Sequence, residues 1–203
     1  MKTLLILAGS GMGAFLDFSV GVMITALAAS VIGMQLEPWQ LAVGGVLGFL
    51  PDFDIIPLIL RRKYATVADH HATIMHRPAI LLPLATMVAW MLGGQFWAIT
   101  TALCVSWHYI HDTKWLGDSD IDLFWPLPAW VTGYREPPRV DLIDWLQWRW
   151  FKPTKFALTE LVIGSVGLLI GVSHMLGHFV AVVAVFLCWV GFILVWLAPT
   201  EYK

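Results

Sequence analysis

Charge is scarce in this chain. Of its 203 residues only 13% are Asp, Glu, Lys or Arg, about half of what a soluble domain carries. Cysteine is nearly absent: Cys104 and Cys188 both lie inside apolar runs, which argues against a disulfide framework. Also missing are a phosphate-cradling glycine loop, a Gly-x-Ser-x-Gly nucleophile elbow, a nucleic-acid motif, an internal repeat and a low-complexity tract. Those absences remove nucleotide-loop enzymes, elbow-type serine hydrolases and nucleic-acid partners from consideration. The apolar stretch from Thr3 to Ala8 runs on without an Ala-x-Ala-like cleavage site, so it is read as retained. What fills the chain instead is apolar: 59% of its residues are hydrophobic and the mean hydropathy is +0.75. Lipid is the better solvent for such a composition. The 12 Trp residues agree, because an indole ring favours the headgroup boundary.

A membrane-spanning helix needs about 20 mostly apolar residues. Segments meeting that need run from about Gly11 to Met34, from Trp39 to Leu60, from Phe156 to Met175 and from His178 to Ala198. Pro78 to Leu92 and Gln95 to His111 form two more, hinged at Gly93 and Gly94. The second segment is interrupted by Pro51, Asp52, Asp54 and Pro57. The expectation is an all-α, polytopic helical membrane protein with about six transmembrane helices, built as one domain over residues 1–203. Residues 113–155 are expected to form a cytoplasmic or interfacial loop segment. Within it, Asp141 to Phe151 alternates charges with Leu and Trp, which suits a short helix in the interface plane or an amphipathic loop packed on the protein. With the N-terminus inside, all 12 Lys and Arg residues fall in cytoplasmic segments and none in the opposite loops. That asymmetry obeys the positive-inside rule and predicts a multi-pass protein of the inner or plasma membrane with both termini cytoplasmic.

The same topology gathers ionisable residues, which are costly at a membrane edge, onto one face. Asp52 and Asp54 end the second segment, His70, His71 and His76 follow in the next loop, and His108, His111 and Asp112 end the fourth. His108 and Asp112 are four apart and share a helix face, so they can grip one ion. His111 lies on that flank too, or points to water. Asp54 offers a hard anionic oxygen, and Asp52, two residues away, can bind directly or orient an imidazole. Imidazole mixed with carboxylate favours Zn²⁺, Mn²⁺ or Fe²⁺ over Mg²⁺ or Ca²⁺. More than four donors leaves room for two ions, an arrangement suited to activating water against phosphoesters. Asp118, Asp120 and Asp122 lack the Glu of a calcium loop and read as a solvated turn. His174 and His178 flank Gly177 at the opposite face and read as interfacial; Gly164, Gly167 and Gly171 make a stripe for close helix packing.

In this order the motifs resemble the YdjM-like family of membrane-bound, predicted metal-dependent hydrolases. The family's LPDIDH, HRGxTHS and HxxxDxLT runs, followed by a Leu-Leu-Trp-Pro segment, are matched by four stretches. These are Leu50-Pro-Asp-Phe-Asp54, His71-Ala-Thr-Ile-Met-His76, His108-Tyr-Ile-His-Asp-Thr113 and Asp122-Leu-Phe-Trp-Pro126. The likeness covers about Gly44 to Pro126 and implies Asp52, Asp54, His71, His76, His108 and Asp112 as ligands. Departures from the pattern are Ile55 for a His, Ala72 and Thr73 for Arg-Gly, Met75 for Thr and Arg77 for Ser. Asp17 stands where the family tends to carry a His near the start of the first helix; it is read as a replacement oxygen donor or as an Asp satisfied within the helices.

The expected function is a membrane-embedded, metal-dependent hydrolase with a cytoplasm-facing site. Asp54, His71, His76, His108 and Asp112 would hold one or two divalent ions, zinc or manganese. Asp52 would orient a ligand or act as general base, and Arg77 would bind the phosphate of a lipid or other phosphoester substrate. The alternatives are a membrane protein that a metal merely staples and a transporter-like, ion-handling protein.

Overall fold

A computed structural model describes residues 2–61, 66–113, 121–132, 134–135, 139–150 and 152–197. Among these, the regular elements are helices: α1 (Lys2–Ile32), α2 (Pro38–Gly48), α3 (Ile55–Arg61), α4 (Val67–His71), α5 (Pro78–His111), α6 (Ala129–Thr132), α7 (Leu142–Trp150), α8 (Lys155–Leu176) and α9 (His178–Leu197). Short 3-10 turns cover Leu50–Asp54 and Ile74–His76. Lys114, Asp118 and Asp120, like Arg62 and Lys63, lie outside the described residues. The chain forms two compact units, one joining Met1–Val46 to Ile143–Lys203 and the other running from Leu47 to Leu142.

In the first unit α8 packs against α1 and α9. The glycine stripe of α8 makes the first contact possible. A Cβ at Gly164 would come within 2.5 Å of the Phe15 ring, and one at Gly167 within 2.9 Å of the Ser19 carbonyl oxygen. Small residues let backbones approach in this way where lipid provides no hydrophobic drive to associate. Polar side chains here are satisfied one by one. Ser19, Thr25 and Ser165 donate to carbonyls four residues back, at 2.6, 2.8 and 2.6 Å. Arg149 and Glu160, both buried, face each other at 3.7 Å. The end of α7 packs on protein rather than turning to lipid: Trp150 is buried against Phe156, and its carbonyl accepts from Trp196 Nε1 at 3.0 Å. His174 and His178 are exposed, the former 3.0 Å from the Ser30 hydroxyl.

In the second unit α5 is a hairpin. A straight helix of this length would hold its ends about 50 Å apart. Yet the rings of His76 and His108 lie 5.7 Å apart, and the Tyr109 hydroxyl donates to the Met75 carbonyl at 2.7 Å. The reversal is at Gly94, whose φ of 76° and ψ of −165° belong to no helix and suit glycine alone. Each arm falls short of about 20 residues, and much of the surface, including Met87, Trp90, Met91 and Leu92, stands exposed for lipid. Among the described residues four helices, with α5 taken whole, are long and apolar enough to cross a membrane, or five if Pro38–Gly48 and Leu50–Leu58, bent by 70°, make one broken span. Six is therefore an approximate count, reached when the two arms of α5 are taken separately.

Candidate metal centre

Each polar motif owes its position to local backbone chemistry. Pro51 sits in the first turn of the 3-10 segment Leu50–Asp54, where a missing N–H costs nothing. The five residues of α4 are too few to hold a helix alone. A reciprocal cap fixes them: Asp69 N–H donates to Thr66 Oγ1 at 3.1 Å and Thr66 N–H to Asp69 Oδ2 at 3.1 Å. Val67 N–H also donates to the Val140 carbonyl at 3.1 Å. The turn Ile74–His76 leads into Pro78 at the start of α5, and the returning arm ends on His108 and Asp112. Gly94 is thus about 24 Å away along the arms, and the motifs meet at the open end of the hairpin.

Three imidazoles converge on one carboxylate oxygen. Asp52 Oδ1 lies 3.3 Å from His70 Nε2, 3.7 Å from His76 Nε2 and 3.5 Å from His108 Nε2. Asp112 Oδ2 completes the group, 3.1 Å from His108 Nε2 and 3.5 Å from His76 Nε2. Donor atoms of Asp52, His76, His108 and Asp112 all lie within 4.8 Å of one another, as do those of His70, His71 and His76. Four donor pairs of the first set lie between 3.1 and 3.7 Å apart, near the roughly 3.3 Å that separates donors bound at about 2.0–2.1 Å to one ion. Asp54 sits behind the imidazoles, Oδ1 at 2.8 Å from His70 Nδ1 and Oδ2 at 3.2 Å from His76 Nδ1, and it accepts a short hydrogen bond from the Thr73 hydroxyl. His76 and His108 are fully buried, whereas Asp52 and Asp112 retain 22% and 15% side-chain exposure. The carboxylate side of the cluster is therefore its more open side.

The electrostatics suit a cation. Burial alone would lower the His70 pKa, but hydrogen bonds and charge from Asp52 and Asp54 outweigh it and push the imidazole up to about 10. His71 goes the other way, down to about 3, through burial and the neighbouring His70 and His76. A neutral imidazole is the ligating form. Burial alone would raise the Asp112 carboxyl, yet the charge of His108 and hydrogen bonds from His108 and His76 hold it well below the ordinary range.

The structure brings Asp52, Asp54, His71, His76, His108 and Asp112 into one cluster. Arg77 stands beside it with its guanidinium directed elsewhere, 3.7 Å from Asp122 Oδ2 and 5.6 Å from the Trp125 ring. Asp122 is buried, which corrects the reading of that residue as part of a solvated turn. His111 is buried and stacked on Trp107 at 5.9 Å. Sequence reasoning gathered His70 onto this face without giving it a role, and missed Thr73 and Tyr109 as supports of the cluster. The only available signal for His70 was its adjacency to His71. For Thr73 it was a hydroxyl where the family pattern has glycine. Asp17, buried in α1, belongs to the other unit.

No curated protein and no solved structure matches the chain. One family model matches it over residues 12–199, nearly the full length. With its apolar helices and its gathered His and Asp side chains, the chain belongs to the YdjM inner membrane protein family.

Proposed function

We propose that this protein is a metal-dependent hydrolase of the inner membrane whose site opens to the cytoplasm. The observation that carries this reading is the gathering of Asp52, His76, His108 and Asp112, whose donor atoms all lie within 4.8 Å of one another. His71, neutral and within reach of His70 and His76, is available to a second ion. A divalent ion bound there, zinc or manganese, supplies Lewis acidity and a water acidified toward neutrality, the chemistry that cleaves phosphoesters. The chain's own residues do the rest. Asp52, the more exposed carboxylate, would orient a ligand or take the proton of an attacking water. Arg77, next to His76 in the chain, would bind a substrate phosphate on turning from Asp122 and Trp125. A lipid or lipid-linked phosphoester is the favoured substrate class, because the open end of the hairpin adjoins faces that lipid covers.

Elemental analysis of the purified protein, before and after reconstitution with Zn²⁺ or Mn²⁺, tests the reading. Binding at about one or two ions per chain is expected, together with metal-dependent hydrolysis of a phospholipid or prenyl phosphate. His108→Ala combined with Asp112→Ala should weaken binding by at least about 100-fold, since two of the four donors go. Failure of the wild type to bind either ion would sink the proposal. Binding without turnover, coupled to unfolding when the ion is removed, would instead mark a metal staple. Reporter fusions at both termini test the cytoplasmic orientation.

A further inference from the structure

His70 and Asp54 form a relation that the ligand motif does not contain. Asp54 turns one carboxylate oxygen to Nδ1 of His70, at 2.8 Å, and the other to Nδ1 of His76, at 3.2 Å. An imidazole held at Nδ1 presents Nε2 on its far side, and both Nε2 atoms here face Asp52 Oδ1. Metal-bound histidines characteristically give their second nitrogen to a carboxylate in this way, which fixes tautomer and ring direction. Here a single carboxylate lies against two rings, whose centroids are 4.3 Å apart: it hydrogen-bonds His76 Nδ1 and meets His70 Nδ1 as an ion-pair contact. Asp54 is buried, and the Thr73 hydroxyl holds it in turn. It therefore has little freedom to swing forward and ligate.

We infer that His70 is a metal ligand of this centre and that Asp54 is a positioning residue shared by His70 and His76. The inference rests on the reading of the cluster as a metal site. It adds a donor from α4 to those from the Leu50–Asp54 turn and from the two ends of the α5 hairpin. His70 and His71 then work from consecutive positions of one short helix. The reciprocal cap at Thr66 gains a function from this: it fixes the two imidazoles before an ion arrives.

Zinc titration of the full-length protein in detergent, against a competing chelator, tests the inference, with zinc-edge X-ray absorption counting imidazoles. In His70→Ala the affinity should fall about 10- to 100-fold, and the imidazole count per chain should drop by one. His70→Gln, which fills the space without ligating in the same way, should do likewise and covers the case in which alanine unfolds α4. Asp54→Asn should lower affinity by a similar factor and reduce the imidazole signal while the oxygen count stays constant. Unchanged or tighter zinc binding in both His70 variants would overturn the ligand assignment, because His70 would then be only a competing cation. Loss of an oxygen with every imidazole retained in Asp54→Asn would make Asp54 a ligand and overturn the positioning role. Absence of zinc from the wild type is a different result and removes the underlying reading.

Discussion

The two units bury polar groups by opposite means. In the unit built on α1, α8 and α9, each buried hydroxyl is absorbed by its own helix: Thr25 donates to the Gly21 carbonyl and Ser165 to that of Leu161. Two of its buried charges, Arg149 and Glu160, face each other. In the unit from Leu47 to Leu142, histidines and aspartates from four separate segments point at one another around Asp52 Oδ1. Polar groups that a helix satisfies locally contribute little beyond packing. Polar groups gathered from several segments onto one carboxylate oxygen make the second unit the place of the candidate metal centre.

The contrast can be broken at its strongest point, the Arg149–Glu160 pair. Glu160→Ala takes the facing carboxylate from a buried guanidinium and should cost about 3 kcal/mol, read as a lowered midpoint in thermal or SDS unfolding and not restored by zinc. In the other unit the expected lever is acidity rather than truncation. An ion must displace the proton that Asp52 and Asp54 hold on His70 up to a pKa of about 10, so lowering the pH from about 7.5 to 5.5 should weaken zinc binding about 100-fold, with a proton released on binding, measurable by calorimetry in two buffers of different ionisation heat. A pH-independent affinity would mean that His70 does not ligate. The smallest effect should come from Ser165→Ala, which removes the bond to Leu161 and the acceptor for Trp189 Nε1. A loss of about 1 kcal/mol is expected, with zinc affinity untouched; a change in zinc affinity would show that the two modes of burial are not separate.

Much of this division was readable from sequence. The apolar runs, the one-sided Lys and Arg and the paired glycines at 93 and 94 announce membrane helices and a hinge, because length and backbone sterics are local properties. His108 and Asp112 were readable for the same reason, as four residues make one helical turn. The division of labour between Asp52 and Asp54 was not. In a 3-10 turn two residues so close can reach different atoms of the same rings, and only the placement of those rings decides which nitrogen each meets. Asp122 was misread because its partner, Arg77, is 45 residues earlier in the chain; no spacing rule spans that distance. His70 was undecidable beside His71, since five residues of helix carry too little periodicity to tell inward from outward.

Every donor in the cluster lies between Asp52 and Asp112, inside a unit that is continuous along the chain, whereas the other unit needs residues from both ends. Synthesis therefore delivers the complete cluster well before α8 and α9 leave the ribosome. On the metal-site reading, a nascent chain would close around an ion while α1 still waits for the helices that will cover it. The order of manufacture would then make metal supply a matter for early membrane insertion rather than for the finished protein.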